Sequence, residues 1–395
     1  MTKERHRRKL TAFAFYLAVF ISASIVGCSS SDNSDPAYQT AKQLPRFDQP
    51  TFDAYLTETR TWLMENRDFK TPDHQTELNL NSPFELIPDK PNGEAVLLVH
   101  GLGDSPYSFH DVAHHLVNNG YLVRAVLLSG HGSKAGDLVL SRYNDWNAIV
   151  AHHVSLLKND YPTLWLGGYS TGANLVTSLA LNDSSISGLV LFSPAFKPKS
   201  EAVKYAQLAS YFVTWADQDL EDNPLRYNSL PMNGASAYYQ TSQVVREALS
   251  TQSFTKPTMM VLSETDSIID TQAAAKWFNS HFTHPNNTLI WQGSTPPEGN
   301  NIIHQTMPRP DLNISNASHM GMLFSPNNPH YGINGSVKIC DNGQNDVNTD
   351  RCMNGDETWY SAWGYQETDK IHARLTFNPY FNETMGYLDK VMSSK

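Results

Sequence analysis

The residues best placed to do chemistry form Gly168-Tyr169-Ser170-Thr171-Gly172, a serine with a glycine two positions away on either side. A serine hydroxyl is a poor nucleophile unless it is exposed, held near a base and set where a developing oxyanion is stabilised. The pentapeptide follows a strand-like Leu164-Trp165-Leu166 and opens a helix-like stretch from Ala173 to Leu181. A sharp strand-to-helix turn meets all three needs, and the glycines allow the strained angles and close crossing that such a turn demands. The bare pattern also fits a glycine-bearing helix start, but in this context Ser170 reads as a nucleophile.

Upstream, Val96-Leu97-Leu98-Val99 runs into the turn His100-Gly101-Leu102-Gly103-Asp104-Ser105. With this His-Gly turn ahead of the serine elbow, the chain resembles the α/β-hydrolase fold family, in which an acid and then a histidine follow. The resemblance implies an oxyanion hole made of the backbone N–H groups of Leu102 and Thr171, with His100 bracing the turn. It implies an acid in the loop after the strand Met259 to Leu262, where Ser263-Glu264-Thr265-Asp266 offers Asp266, with Glu264 and Asp270 as nearby alternatives. The base would come last, in Ser318-His319-Met320-Gly321-Met322; His304 competes with His319, but its surroundings of Asn, Gln, Thr and Pro look like an exposed insertion.

The turn Ser129-Gly130-His131-Gly132 is similar to the Gly-His-Gly turn of the monoacylglycerol lipase and serine aminopeptidase-like branch. The likeness spans about Glu94 to Leu323 and departs after His319, where the chain continues at length instead of closing. What it implies is covalent acyl transfer on a small-molecule substrate: Ser170 attacks a carbonyl, His319 moves the proton, and Asp266 steadies His319. A carboxylic ester is the first substrate class, with peptidase or thioesterase activity as alternatives and a non-catalytic surface-binding protein as the rival of another kind. Nothing in the pattern requires a cofactor.

The elements around these residues are those of an α/β fold, a mostly parallel central sheet with helices on both faces and an inserted helical cap. Phe52, Tyr55, Leu56, Trp62 and Leu63 fall at helical spacing. Strands at Phe84 to Ile87, Ala95 to Val99, Tyr121 to Leu127, Leu164 to Leu166 and Gly188 to Phe192 then alternate with helices near Asp111 to Asn118, Asp145 to Lys158 and from Thr171. The alternation breaks between about 195 and 255, where Val203, Tyr205, Leu208, Tyr211, Phe212 and Trp215 suggest a cap that lines an apolar pocket or packs on itself. The sheet resumes at Thr258 to Leu262 and Thr288 to Trp291; an irregular stretch follows from Gly293 to about Arg374, before a closing helix from Phe381 to Val391.

The N-terminus reads as an export signal, because Lys3, Arg5, Arg7, Arg8 and Lys9 precede an apolar run from Leu10 to about Val26. That run ends in Ile25-Val26-Gly27-Cys28-Ser29, which resembles the lipobox of bacterial lipoproteins and implies lipidation of Cys28. The expected organisation is a signal peptide at 1–27, a flexible tether at 28–45 and a hydrolase domain at 46–395, with the cap at about 195–255 and a disulfide-bearing insertion at about 325–372. The setting would be a bacterial cell envelope, with the protein anchored in the membrane through Cys28, the outer membrane favoured over the inner by Ser29. Loss of five basic residues and one acidic residue with the signal moves the formal charge from −10 to −14, which argues against nucleic acid as a partner. Cys340 and Cys352 can pair in an oxidising compartment. The run Asp341, Asn342, Asn345, Asp346, Asn348 and Asp350 matches no calcium-loop spacing and reads as a solvated turn, and the His114-His115 and His152-His153 pairs lack the spacing of a metal site.

Overall fold

The computed structural model describes residues 35–394. The expected signal segment, Cys28 and the start of the expected tether lie outside them. Eight strands form the central sheet: β1 (Phe84–Leu86), β2 (Glu94–Val99), β3 (Leu122–Val126), β4 (Thr163–Tyr169), β5 (Ile186–Phe192), β6 (Thr258–Ser263), β7 (Thr288–Gly293) and β8 (Ile302–Thr306). Their spatial order is β1-β3-β2-β4-β5-β6-β7-β8. Only β1 on β3 is antiparallel; every other neighbouring pair is parallel.

Parallel neighbours need long crossovers, and helices supply most of them. The main helices are α1 (Phe52–Asn66), which precedes the sheet, α2 (His110–Asn118), α3 (Tyr143–Asp160), α4 (Thr171–Asn182), α5 (Met232–Thr251), α6 (Thr271–His281) and α7 (Phe381–Met392), which follows its last strand. The two-residue period of a strand sorts β2 between them. Ala95, Leu97 and Val99 face a core with Trp146, Val150 and Val154 of α3, whereas Val96 and Leu98 face Val112 and Leu116 of α2 and Met385 and Leu388 of α7. All six residues of β2 are buried, and each large aliphatic side chain so placed contributes about 1.5–3 kcal/mol. The order of strands reverses direction at β2, which has β3 on one side and β4 on the other. Such a switch point leaves a crevice at the carboxyl ends of the strands.

Three expectations are corrected. Residues 35–45, expected as tether, are folded against the body: Ala37 is buried, Tyr38 Oη donates to Asp219 O at 2.8 Å, and the Ala41 N–H donates to Asp137 Oδ1 at 2.6 Å. Composition misled here because the segment is held by hydrogen bonds to a buried carboxylate more than by apolar burial. His304 does not sit in an insertion but in β8, the sheet's edge, where its Nε2 lies 2.8 Å from Gly293 O. The polar content of an edge strand hid it. The apolar side chains of the cap neither line a pocket nor pack on themselves throughout: Tyr205, Leu208, Tyr211 and Phe212 are exposed.

The stretch after His319 is more ordered than the sequence suggests. It holds a helix at Asp346–Met353 and a parallel pair, Thr358–Ser361 with Ile371–Arg374. Cys340 and Cys352 are joined in a disulfide that packs on Ile371 and Ala373. Asn342 is buried and bonded to Ser361 and Ala362, and Asn345 caps the helix, so these members of the acidic run have structural tasks. Among the described residues no helix is long and apolar enough to cross a membrane.

One core residue works against stability. His153 is fully buried against Phe52 and Tyr55, with ring centroids 5.4 and 4.4 Å away, and neither of its nitrogens has a partner. Burial first, then His152, pushes its pKa down to about 3. The folded protein binds this proton less readily than the unfolded chain, whose histidine titrates near 6.5, so stability falls as pH drops from about 6.5 toward 3. Replacing His153 with Leu should raise stability by about 1 kcal/mol at neutral pH. Urea unfolding across a pH series should also show a shallower loss between pH 6.5 and 4 than in the parent.

Candidate active site

Ser170 stands at the tip between β4 and α4 with φ 53° and ψ −114°, a left-handed conformation for a residue with a side chain. Neighbouring strand ends hold it there. Its N–H donates to Phe192 O at 3.0 Å, and its own carbonyl accepts from the Ala195 N–H at 3.2 Å. The flanking glycines are required by space: a Cβ on Gly172 would lie 2.0 Å from Val99 O, and one on Gly168 would lie 2.5 Å from the backbone of Ala173.

His319 Nε2 lies 2.9 Å from Ser170 Oγ, and its Nδ1 lies 2.6 Å from Asp266 Oδ2. Asp266 is 1 % exposed, and its other oxygen accepts the N–H groups of Ile268 and Ile269 at 2.8 and 3.0 Å. The serine O–H donates to Nε2, and Nδ1–H donates to the carboxylate, which fixes the tautomer a general base needs. The rival residues are engaged elsewhere. Glu264 accepts from the backbone of Ser294 and Thr295, Asp270 caps α6 and pairs with Lys197, and His304 lies on β8.

The N–H groups of Leu102 and Thr171 have no hydrogen-bond acceptor among the described residues. Two buried histidines shape the turn that carries Leu102. His100 Nδ1–H donates to Gly101 O at 2.8 Å while its Nε2 accepts the Leu128 N–H at 3.1 Å; His131 Nε2 accepts the Gly103 N–H at 3.0 Å. Burial pulls His100 down to about 4 and His131 well below its ordinary value, so both rings stay neutral and keep a lone pair to accept with. The histidine of the Gly-His-Gly turn thus buttresses the His-Gly turn.

Several positioning contacts were not foreseen. Ser193, itself at φ 43°, donates its hydroxyl to His319 O at 2.8 Å, Thr265 Oγ1 donates to Ala317 O at 2.6 Å, and Lys199 Nζ donates to Asp266 O at 2.6 Å. Ser193 lies one residue past β5, so its position at a strand's carboxyl end was the available signal. Lys199 carried none. Asp104, in the turn after β2, also lies beside Ser170: a Cβ on Gly101 would meet Asp104 Oδ2 at 2.9 Å and Ser170 Cβ at 3.1 Å.

Residues 90–230 match the serine aminopeptidase S33 family. The chain is similar to a thermostable monoacylglycerol lipase of Bacillus sp. (strain H-257), 34 % identical over 100 residues, which are 25 % of this chain and 40 % of the lipase. The match therefore spans two fifths of that relative's length. It is also similar to a carboxylesterase of Bacillus subtilis (strain 168), 26 % identical over 228 residues that cover 55 % of this chain and 91 % of the esterase. Among solved structures, a monoacylglycerol lipase of Paleococcus ferrophilus aligns over 53 % of this chain and 88 % of its own, at 18 % identity and a TM-score of 0.45.

The contact of Gly172 with Val99 O leaves no room for a methyl group. Gly172→Ala should destabilise the fold by roughly 1–3 kcal/mol through overpacking and displace the serine turn. A lowered thermal midpoint together with slower labelling of Ser170 by a fluorophosphonate would register both effects.

Proposed function

We propose that this chain, an α/β-hydrolase related to the monoacylglycerol lipases, is a serine esterase that cleaves carboxylic esters through a covalent acyl-enzyme. The observation that carries the reading is the unbroken hydrogen-bond chain from Ser170 Oγ through His319 to Asp266, at 2.9 and 2.6 Å. Ser170 Oγ forms a bond to the ester carbonyl carbon while His319 Nε2 takes its proton. The carbonyl π pair moves onto oxygen, where the Leu102 and Thr171 N–H groups meet the developing charge; such donors are worth about 3–4 kcal/mol each. Collapse breaks the bond to the alcohol oxygen, which leaves with the proton from His319. Water then attacks the acyl-serine, giving its proton to His319, and the acid is released as the proton returns to Ser170.

Amide and thioester substrates would pass through the same steps. Recognition of a free amino terminus, as an aminopeptidase requires, would need an uncompensated carboxylate beside the serine. Asp104 does not offer one, since Arg226 lies 3.6 Å from it. The proposal extends to location: Cys28, at the end of an apolar run after five basic residues, would carry a lipid that holds the enzyme on the bacterial envelope, the outer membrane by preference.

A fluorophosphonate probe should label Ser170, and a p-nitrophenyl ester series should be turned over. Ser170→Ala should abolish both, and Asp266→Asn should lower kcat by about 10⁴-fold with the fold intact. Absence of labelling and turnover in the parent would instead favour a non-catalytic binding protein. For the anchor, cells expressing the full chain and fed a radiolabelled fatty acid should yield a labelled membrane-bound protein, and Cys28→Ser should lose the label.

A further inference from the structure

The cap carries an apolar surface that takes no part in the contacts around the triad. From Tyr205 to Ala216 the chain has no charged residue. The short helix Ala206–Ala209 and the turn after it are held by backbone bonds: the Ser210 N–H donates to Ala206 O, and the Phe212 and Val213 N–H groups to Ala209 O, all at 2.9 Å. Ala206 is buried, and Val203 and Trp215 pack on the core, so these three fix the segment to the body. Tyr205, Leu208, Tyr211, Phe212 and Val213 are exposed instead, Tyr211 by 77 % and Phe212 by 82 %. Single exposed apolar residues are ordinary, but five on one ordered turn mark a surface that meets another apolar body.

The first folded residues of the described chain lie beside that surface. Tyr38 meets Trp215 edge to face, with ring centroids 5.3 Å apart, and its Oη donates to Asp219 O at 2.8 Å. Val213 stands two residues before Trp215, and the exposed Leu220 directly follows Asp219, so Tyr38 is held between two apolar outcrops of the cap. Gly136 closes on the same segment, where an added Cβ would strike the backbone of Tyr38 and Gln39. Cys28 comes seven residues before Asp35, and seven links of fully extended chain reach about 25 Å. A lipid on Cys28 therefore keeps this end of the molecule close to the bilayer.

A bilayer is the occupant that the patch fits. An interface between protein copies takes about 20–30 residues a side. Here the exposed apolar side chains stand on the stretch from Tyr205 to Val213 alone. Tyrosine and phenylalanine suit the headgroup boundary, where the ring is buried while a hydroxyl stays wet. The lack of charge from Tyr205 to Ala216 spares the cost of drawing an ion out of water. Asp217 and Asp222 are exposed on either side of Leu220, so apolar insertion, and not attraction to anionic lipid, is the driving force. A tether also makes the contact intramolecular, so a few side chains suffice where a free protein would need more.

We propose that the exposed turn of the cap, Tyr205 to Val213, inserts into the surface of the same bilayer that holds the lipid on Cys28. The inference rests on the lipid-anchor reading above and adds an orientation to it. The anchor alone leaves the body free to turn about its tether. The second point of attachment brings the cap side of the molecule against the membrane.

Depth-sensitive fluorescence tests this. The full chain, processed in cells, is reconstituted into phosphatidylcholine vesicles with and without a nitroxide-labelled lipid. An NBD fluorophore is attached through Phe212→Cys or, in a second sample, through Ile87→Cys. Cys340 and Cys352 are paired and an acylated Cys28 is blocked, so each introduced thiol reacts alone. Ile87 is 70 % exposed and follows β1, whose Leu86 pairs with Val123 near the start of β3, so it marks the opposite, amino end of the sheet. Nitroxide lipid should quench the probe at position 212 at least about threefold more than at position 87, as insertion about 5–10 Å into the headgroup boundary requires. Leu208→Ser combined with Tyr211→Ser should bring quenching at 212 down toward that at 87, with the thermal midpoint and turnover of a soluble p-nitrophenyl ester unchanged. Equal quenching at both positions in acylated protein overturns the proposal, as does quenching at 212 that the double variant leaves unaltered. A blue shift at 212 that nitroxide lipid does not quench, and that grows with the protein-to-lipid ratio, shows a second copy covering the patch and overturns it too. Absence of a fatty-acid label on the parent chain overturns the anchor reading itself, and this inference with it.

Discussion

The site depends on one close crossing, that of α4 over the end of β2 at Gly172, where a single methyl group would strike Val99 O. Because the helix begins that close to the sheet, the residue before it must turn sharply, and Ser170 takes φ 53° to do so. A side-chain-bearing residue held there stores on the order of 1–3 kcal/mol. The neighbouring strand ends oppose that strain: Phe192 O and the Ala195 N–H grip both sides of the serine peptide. The Ser170 hydroxyl is thus fixed by backbone geometry, and only His319 and Asp266, the proposed base and acid, remain to be brought to it.

They arrive on loops whose own backbones are tied down. His319 is held through its carbonyl by Ser193, at the end of β5, and Ala317 through its carbonyl by Thr265, in the same loop as Asp266. The acid and base loops are therefore fastened to each other as well as through the imidazole. The turn that carries Leu102, the proposed oxyanion turn, is fastened differently, by two histidines too deeply buried to charge. Neutrality is what lets His131 Nε2 accept the Gly103 N–H; an imidazolium would present a second donor to it.

What was legible in the sequence follows from how each element is stabilised. β2 and β5 bury nearly continuous apolar runs, so hydrophobicity alone revealed them, and α3 shows its stripe through Trp146, Val150 and Val154. β8 was missed because an edge strand keeps polar residues on its open side, and His304 there resembled loop. The helix His74–Asn81 was missed for a related reason: its buried residues include Glu77 and Asn81, and Glu77 is matched by Arg67 across ten positions. Pairing of that kind leaves no periodic signature. The same holds for residues 35–45, whose order comes from Asp137 and Asp219, far away in the chain. Ser170 was legible from a local motif, whereas Asp266 and His319 were reached by order along the chain. Their partners Lys199 and Ser193 became visible only in three dimensions.

The charged groups around Ser170 divide into two kinds. Asp266 is buried yet fully provided for, with two backbone N–H groups on one oxygen and the imidazole on the other, so its charge is solvated by the protein and its position is rigid. A carboxylate held in that way can meet a protonated His319 with little reorganisation. Arg226, by contrast, keeps 26 % of its side chain exposed and forms a looser ion pair with Asp104 at 3.6 Å, so solvent shares in holding its charge. The chain after His319 brings a second cation near Arg226, Arg374, and fastens it there through Asn342 Oδ1 at 2.6 Å, so the added length is tied into the surroundings of the serine turn.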